Sequence, residues 1–498
     1  MILLAQNTQE YNNDIRAMIM AFFPGRKIVE KFEPGESYEL GVKAWFEGTH
    51  TWLSIMTIYD WDKDFSELKK EMIYPGPVGE YTSVLAEGDY RDKSSFRNHF
   101  KKCIYILLSD YCNRKLPWGD LTGVRPTKIA MAKLREGASI EEAAQNYLDE
   151  YLVSAKKAVL ATRVAAKEMS IISDIDVDND YCLYVGIPFC PSRCLYCSFT
   201  SYPIALYEKK AAEYIDTLKK ELDYISDVYR DKNLVSVYIG GGTPTSINHE
   251  LLDELLTHIR SSFDMSQCKE FTVEAGRPDS ITRDKLMVMK KHNISRISIN
   301  PQTMNDETLR VIGRAHTVEQ TKEAFRLARE CGFDNINMDL IAGLPGENID
   351  SMKHTLDEIK ELSPESITVH SLAIKRAANL KQQLGEYGDA INQDMNAMLD
   401  MVSDVAGELG MEPYYLYRQK NIGGNLENVG YAKEGLECFY NILIMEEITD
   451  IIAAGAGAST KLTYHEENRV ERVENCKSVD DYICRFDEMI ERKKKEFK

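Results

Sequence analysis

Hydrophobic and polar positions follow two rhythms along this chain. From about residue 180 onward, short apolar, β-rich runs recur six times: YCLYVGIP (181–188), VSVYIGG (235–241), EFTVEAG (270–276), RISINPQ (296–302), NINMDLIAG (335–343) and ESITVHSL (365–372). Between them lie longer segments with apolar residues every three or four positions, such as 207–225 and 317–332. Short apolar runs read as strands, and the longer spaced pattern reads as helices. Strand and helix in repeated alternation predict parallel strands joined by right-handed crossovers. Six such units are fewer than the eight that close a barrel. The expected fold class is α/β, a partial (β/α)6 barrel with its helices outside.

The flanking regions differ. Residues 1–175 predict an accessory α+β domain. Runs 27–33, 38–47 and 51–60 read as a short meander, followed by helical patterns over 94–111, 126–137 and 141–171. The segment LPWGDLTGVRPTK (116–128) reads as a loop fixed by its Trp, Gly and Pro, and the acidic run 173–180 reads as a linker. The barrel is expected over 178–375. A C-terminal, mainly helical domain is expected over 376–498, including the Gly-rich AAGAGAST (453–460), read as either a ligand loop or close packing.

Composition narrows the class. With 44% hydrophobic and 28% charged residues in 498, the chain is neither disordered nor repetitive. No run reaches 18 apolar residues and the start lacks a basic, then apolar, leader, so a soluble cytoplasmic protein without a membrane partner is expected. The net charge of −18 disfavours nucleic acid as a partner, and the terminal ERKKKEFK reads as a solvated helix end. Eleven cysteines, an odd count, point away from structural disulfides and towards metal binding or catalysis.

Three of them, Cys190, Cys194 and Cys197, stand in CPSRCLYC directly after the first barrel strand. A structural zinc site needs a fourth ligand, and no second CxxC pair supplies one. A redox dithiol explains Cys194 and Cys197 but ignores Cys190. Three thiolates on one short loop suit an iron–sulfur cluster, which prefers soft sulfur ligands. With one ligand too few for four irons, one iron is open to a small molecule.

CxxxCxYC after a strand resembles the radical S-adenosylmethionine (SAM) enzymes. LYVGIPFCPSRCLYCSF resembles, within them, the oxygen-independent coproporphyrinogen III oxidases, and the likeness runs over about 180–470. It implies a 4Fe–4S cluster on Cys190, Cys194 and Cys197, with SAM on the open iron. The matching positions imply SAM contacts from Tyr184, Tyr196, Gly241, Gly242, Thr243 and Glu274, and second-SAM contacts from Gln302, Arg314 and Asp339. The implied reaction is the anaerobic oxidative decarboxylation of two propionates of coproporphyrinogen III, giving the vinyl groups of protoporphyrinogen IX in haem biosynthesis. Its partners are coproporphyrinogen III, or another porphyrin or haem ligand, and a low-potential electron donor such as flavodoxin or ferredoxin. Two positions depart from the family oxidases. Phe199 stands where they often carry a further cysteine, as it does in a haem-trafficking chaperone branch, and Gly186 replaces a common His. The alternatives are that chaperone, or a radical SAM enzyme acting on another porphyrin or on RNA.

Independently of any likeness, the chemically notable residues sit at C-terminal strand ends, where barrel folds build their sites. GGGTP (240–244) ends the second strand, and its glycines allow close backbone approach to a ligand. Glu274, Gln302 and Asp339 follow on the third, fourth and fifth. Lys375, Arg376, Arg418 and Lys420 are candidates to clamp propionates, Arg376 and Arg418 foremost. The nine histidines are scattered and read as structural.

Overall fold

The computed structural model describes residues 1–32, 36–56, 81–372, 394–419 and 425–497. Two compact units emerge: residues 1–163 with 418–427, and residues 164–417 with 428–498.

The first unit is built on a five-stranded sheet of β1 (Ile2–Gln6), β2 (Ile28–Val29), β3 (Leu40–Glu47), β4 (His50–Met56) and β5 (Tyr81–Glu87), ordered β2-β1-β3-β4-β5. Of the expected meander only β3 and β4 pair as foreseen, antiparallel; β2 lies beside β1 instead, and β5, antiparallel to β4, was not anticipated. The opening residues add an unanticipated strand, β1, parallel to both β2 and β3. Helices Asn12–Phe22 and Lys93–Cys112 cover the sheet, burying Ile15, Met18, Ile19, Phe96 and Phe100 against Ile2, Leu4, Val42 and Leu53. The single helix expected over 141–171 is two, Ile140–Tyr151 and Ala155–Ile172, broken where Leu152 turns left-handed at φ 55°. Residues 33 and 57–60 of the predicted strands lie outside the described residues.

The second unit carries the six expected parallel strands: β6 (Asp180–Ile187), then, beyond the two-residue β7 (Phe189–Cys190) and β8 (Tyr202–Pro203), β9 (Asn233–Gly241), β10 (Glu270–Gly276), β11 (Arg296–Ile299), β12 (Ile336–Ala342) and β13 (Ser366–Ser371). The C-terminal stretch, expected to be mainly helical, also supplies β14 (Glu412–Arg418), β15 (Glu427–Ala432), β16 (Asp450–Ala454), β17 (Ser459–Tyr464) and β18 (Arg469–Glu474). The sheet runs β14-β15-β13-β12-β11-β10-β9-β6-β16-β17-β18. β16 lies parallel to β6, so the parallel array has seven strands, and antiparallel β15 and β17 extend its two ends.

Register assigns each strand one apolar and one polar face. Leu183, Val185, Val237, Ile239, Val273, Ile297, Ile299, Met338, Leu340, Ile367 and Val369 are buried on one face. The alternate positions are Cys182 and Tyr184, Ser236 and Tyr238, Glu270, Thr272 and Glu274, Arg296 and Ser298, Asn337 and Asp339, Ser366, Thr368 and His370. Burying so many polar groups is tolerable only where they bond one another. Arg296 donates to Ser366 Oγ at 3.1 Å, Thr368 to Asn337 Oδ1 at 3.1 Å, and Asn337 to Asp339 Oδ1 at 2.7 Å.

AAGAGAST is packing. Gly455 holds φ at 106°, and a Cβ there would fall 2.5 Å from Gly186 O. Its N–H donates to Glu221 Oε2 at 2.8 Å, and Ala456 N–H to Tyr214 Oη at 3.0 Å. Glu221 is also paired with Lys493 at 3.1 Å, both fully buried. One lysine of the terminal basic run thus stands in the core rather than in solvent. Among the described residues no helix is long and apolar enough to cross a membrane.

Candidate active site

The cysteine loop leaves β6 through Pro188 and is bound to three other strand ends. On β9, Gly242 N–H donates to Ile187 O at 2.8 Å and Thr243 N–H to Phe189 O at 2.7 Å. The Thr243 hydroxyl donates to Cys190 Sγ at 3.5 Å. A Cβ on Gly242 would fall 2.5 Å from Phe189 O and 3.0 Å from Cys190 Sγ, so only glycine lets the two loops close. From β10, Arg277 reaches Ser192 Oγ at 2.7 Å while clamped by Asp279. Beyond β11, Ile312 O accepts from Leu195 N–H at 3.0 Å, and Gly313 O from Ser192 Oγ at 3.2 Å.

Cys190 and Cys194 are buried and Cys197 is half-buried, and the three act on one another electrostatically. Burial pushes the Cys190 thiol up to about 11 against the opposing Thr243 hydrogen bond, and raises Cys197 as well. Both shifts run opposite to the lowered pKa of an activated redox thiol. A bound metal would displace the thiol protons. Among the described residues no three Cys, His, Asp or Glu side chains close on one point as a single ion requires. An iron–sulfur cluster takes each thiolate on a different iron and needs no common point.

The remaining candidates ring this loop. Arg314 is buried, donates to Asn300 O at 2.5 Å, and its charge acts on Tyr196 and Cys194. Burial raises the Tyr196 phenol against the pull of Arg314. Gln302 is held left-handed at φ 71° because its backbone bridges to β12: its N–H donates to Asp339 O, and its carbonyl accepts from Ile341, both at 2.9 Å. Its Oε1 is buried without a hydrogen-bond partner, an acceptor that a ligand's N–H or O–H could satisfy. On Asp339, burial acts upwards, but His370, 3.8 Å away, and Asn337 outweigh it and hold the carboxyl low. Glu274 is pushed by burial up to about 7, while its Oε1 accepts from Tyr238 Oη at 2.5 Å. Neither carboxylate pairs with Arg277 or Arg314.

Three features escaped the sequence reading. Tyr184 stacks in a triple layer with Tyr238 and Tyr440, whose rings lie 4.5 Å apart, under the Gly241 turn. The polar alternation of the strands was visible in SITVHS and INMDL as a period of two, but was read only at the strand ends. His316, grouped with the structural histidines, is buried between Arg314 and Asp279. Burial pulls it down to about 3, and neither ring nitrogen has a hydrogen-bond partner.

Of the propionate-clamp candidates, the structure describes Arg418. Arg418 belongs to the first unit, where its N–H donates to Val124 O at 2.7 Å and its Nη1 to Leu121 O at 2.9 Å. Those bonds bury the guanidinium within that unit. Lys375, Arg376 and Lys420 lie outside the described residues.

Comparison with known proteins gives three results. Residues 184–359 match the family model of the radical SAM superfamily. The chain is 41% identical over 423 residues, 84% of each chain, to the oxygen-independent coproporphyrinogen-III oxidase-like protein HemZ of Bacillus subtilis, and 36% identical over 279 residues to the heme chaperone HemW of the same organism, covering 55% of this chain and 69% of that one. Its fold is similar to the solved coproporphyrinogen III oxidase HemN of Escherichia coli, with TM-score 0.51 and 23% identity over 64% of this chain and 72% of that one.

Proposed function

We propose, from the premise that this chain belongs to the radical SAM superfamily and within it to the group of coproporphyrinogen III oxidase-like proteins and haem chaperones, that it oxidatively decarboxylates two propionates of coproporphyrinogen III without oxygen. Its cofactors are a 4Fe–4S cluster and SAM. The observation that carries the reading is the three-thiol loop, bound in one network to the GGGTP turn, Arg277 and Arg314.

When bound, the reduced cluster and SAM supply a carbon radical able to remove a propionate β-hydrogen. The chain's own residues prepare the place. Cys190, Cys194 and Cys197 hold the cluster, and the Thr243 hydroxyl and the Arg314 guanidinium stabilise negative charge on two of their sulfurs. The turn at Gly241 and Gly242 brings backbone against SAM, and Glu274, steadied by Tyr238, accepts from its hydroxyls. Tyr184 and Tyr196 wall the pocket, while Gln302, Arg314 and Asp339 line its far side for a second SAM or for substrate. A low-potential donor of the flavodoxin or ferredoxin class provides the electron that cleaves SAM, and a separate one-electron acceptor takes the electron left on the substrate as carbon dioxide leaves and the vinyl group forms.

The test is product analysis of anaerobically reconstituted, reduced protein given SAM and coproporphyrinogen III. Carbon dioxide, protoporphyrinogen IX and 5′-deoxyadenosine are expected together. A second reading, a haem chaperone, has one observation in its favour: Phe199, where the family oxidases often carry a cysteine, is 65% exposed beside the cluster loop. Stoichiometric haem binding with no carbon dioxide released would establish that reading instead.

A further inference from the structure

The segment LPWGDLTGVRPTK plays no part in the reaction above, yet the first unit is built tightly around it. Trp118 is fully buried, and its Nε1–H donates to Glu427 Oε2 at 2.6 Å. The other oxygen of Glu427 accepts from the buried Lys157 at 2.6 Å. Gly119, at φ 52°, presses the loop onto the end of helix Ile140–Tyr151: a Cβ would lie 2.0 Å from Tyr151 O, which accepts from Asp120 N–H at 3.0 Å. The loop is thus held rigidly, and its one carboxylate inside the fold.

That carboxylate is not satisfied. Asp120 is 1% exposed, and neither of its oxygens has a hydrogen-bond partner. Arg418, 3% exposed, sits over the Trp118 ring at 5.5 Å and spends only Nη1 on the loop, at Leu121 O. Its Nε and Nη2 are buried without partners. The charge of Lys101 acts on both groups. A purely structural charge would be paired, as Glu427 is a few residues away, because leaving it unpaired is costly. The open Nε–Nη2 edge of an arginine is the fork that grips a carboxylate through two parallel bonds. A phosphate dianion would meet repulsion from Asp120, whereas an N–H donor would satisfy it.

We propose that the Trp118–Asp120 loop and Arg418 form a second ligand site, in the N-terminal unit, for a molecule bearing a carboxylate and an N–H donor. Arg418 takes the carboxylate and Asp120 the N–H. A propionate-bearing tetrapyrrole with its pyrrole N–H groups has this chemistry, and so does an α-amino acid such as methionine.

Calorimetric titration of the full-length protein with coproporphyrin III, methionine, propionate and inorganic phosphate tests the site. One of the first two is expected to bind saturably and more tightly than propionate or phosphate. Arg418→Lys keeps the charge but loses the fork, and should weaken that binding about 10- to 100-fold. Asp120→Asn should weaken it while leaving propionate binding unchanged, and it remains a test if the arginine variant does not fold. Methionine against coproporphyrin identifies the source. The assignment is overturned if neither ligand binds, if phosphate binds more tightly, or if a folded variant at Arg418 or Asp120 binds as the parent does. The titration uses neither reductant nor SAM, so failure to make 5′-deoxyadenosine would leave this site standing.

Discussion

Gly242→Ala probes the junction between the glycine turn and the cysteine loop. The added Cβ would lie 2.5 Å from Phe189 O and 3.0 Å from Cys190 Sγ, where ordinary contact begins at 3.4 Å. Neither neighbour can swing aside cheaply. Phe189 O is fixed by Thr243 N–H at 2.7 Å, and Gly242 itself by Ile187 O at 2.8 Å. Relief must therefore come from moving backbone, and overpacking of this kind costs about 1–3 kcal/mol. The displaced atoms carry Cys190, so iron retention should fall with stability. Gly407, inside helix Met395–Glu408 with nothing within 4 Å of its added Cβ, is the control. There the same substitution should gain about 0.5–1 kcal/mol, because alanine removes the entropy cost of a helical glycine. Denaturant midpoints, with iron and sulfide measured per chain after anaerobic reconstitution, read out both. A Gly242→Ala protein with the parent's midpoint and full iron content would refute the close approach of the two loops.

Single replacement of Cys190, Cys194 or Cys197 by Ala should abolish retention of about four irons per chain, whereas Cys182→Ala, on β6, should keep them; elemental analysis decides. Burial raises Glu274 from 4.5 to about 7, so the folded state holds a proton that the unfolded chain releases. Its contribution is present below pH 4.5 and is lost as pH rises towards 7, by up to about 3 kcal/mol. Unfolding of apoprotein against pH should show that fall, and Glu274→Gln should flatten it. Lys493→Met leaves Glu221 charged and buried, which costs about 3–5 kcal/mol; a melting temperature equal to the parent's would contradict the buried pair.

Much of the second unit could be read from the chain because its signals are local. A strand's two-residue and a helix's 3.6-residue periods are printed in the residues that form them, so all six parallel strands fall within three residues of their expected ends. The three-cysteine spacing is likewise confined to eight residues of one loop. What the fold alone decided is non-local. β16 pairs with β6 across some 260 residues, because an open parallel array leaves an edge whose N–H and C=O groups need a partner, and nothing local says which segment provides it. The Tyr184–Tyr238–Tyr440 stack unites three distant segments that each read as ordinary aromatics. Charge is the other blind spot. Lys493 and Arg418 look like any solvated cations in the sequence, yet the first is neutralised in the core by Glu221 and the second lies against Trp118 with half its donors unspent. Whether a charged side chain meets water or a carboxylate depends on what the rest of the chain packs around it, and only the tertiary structure settles that.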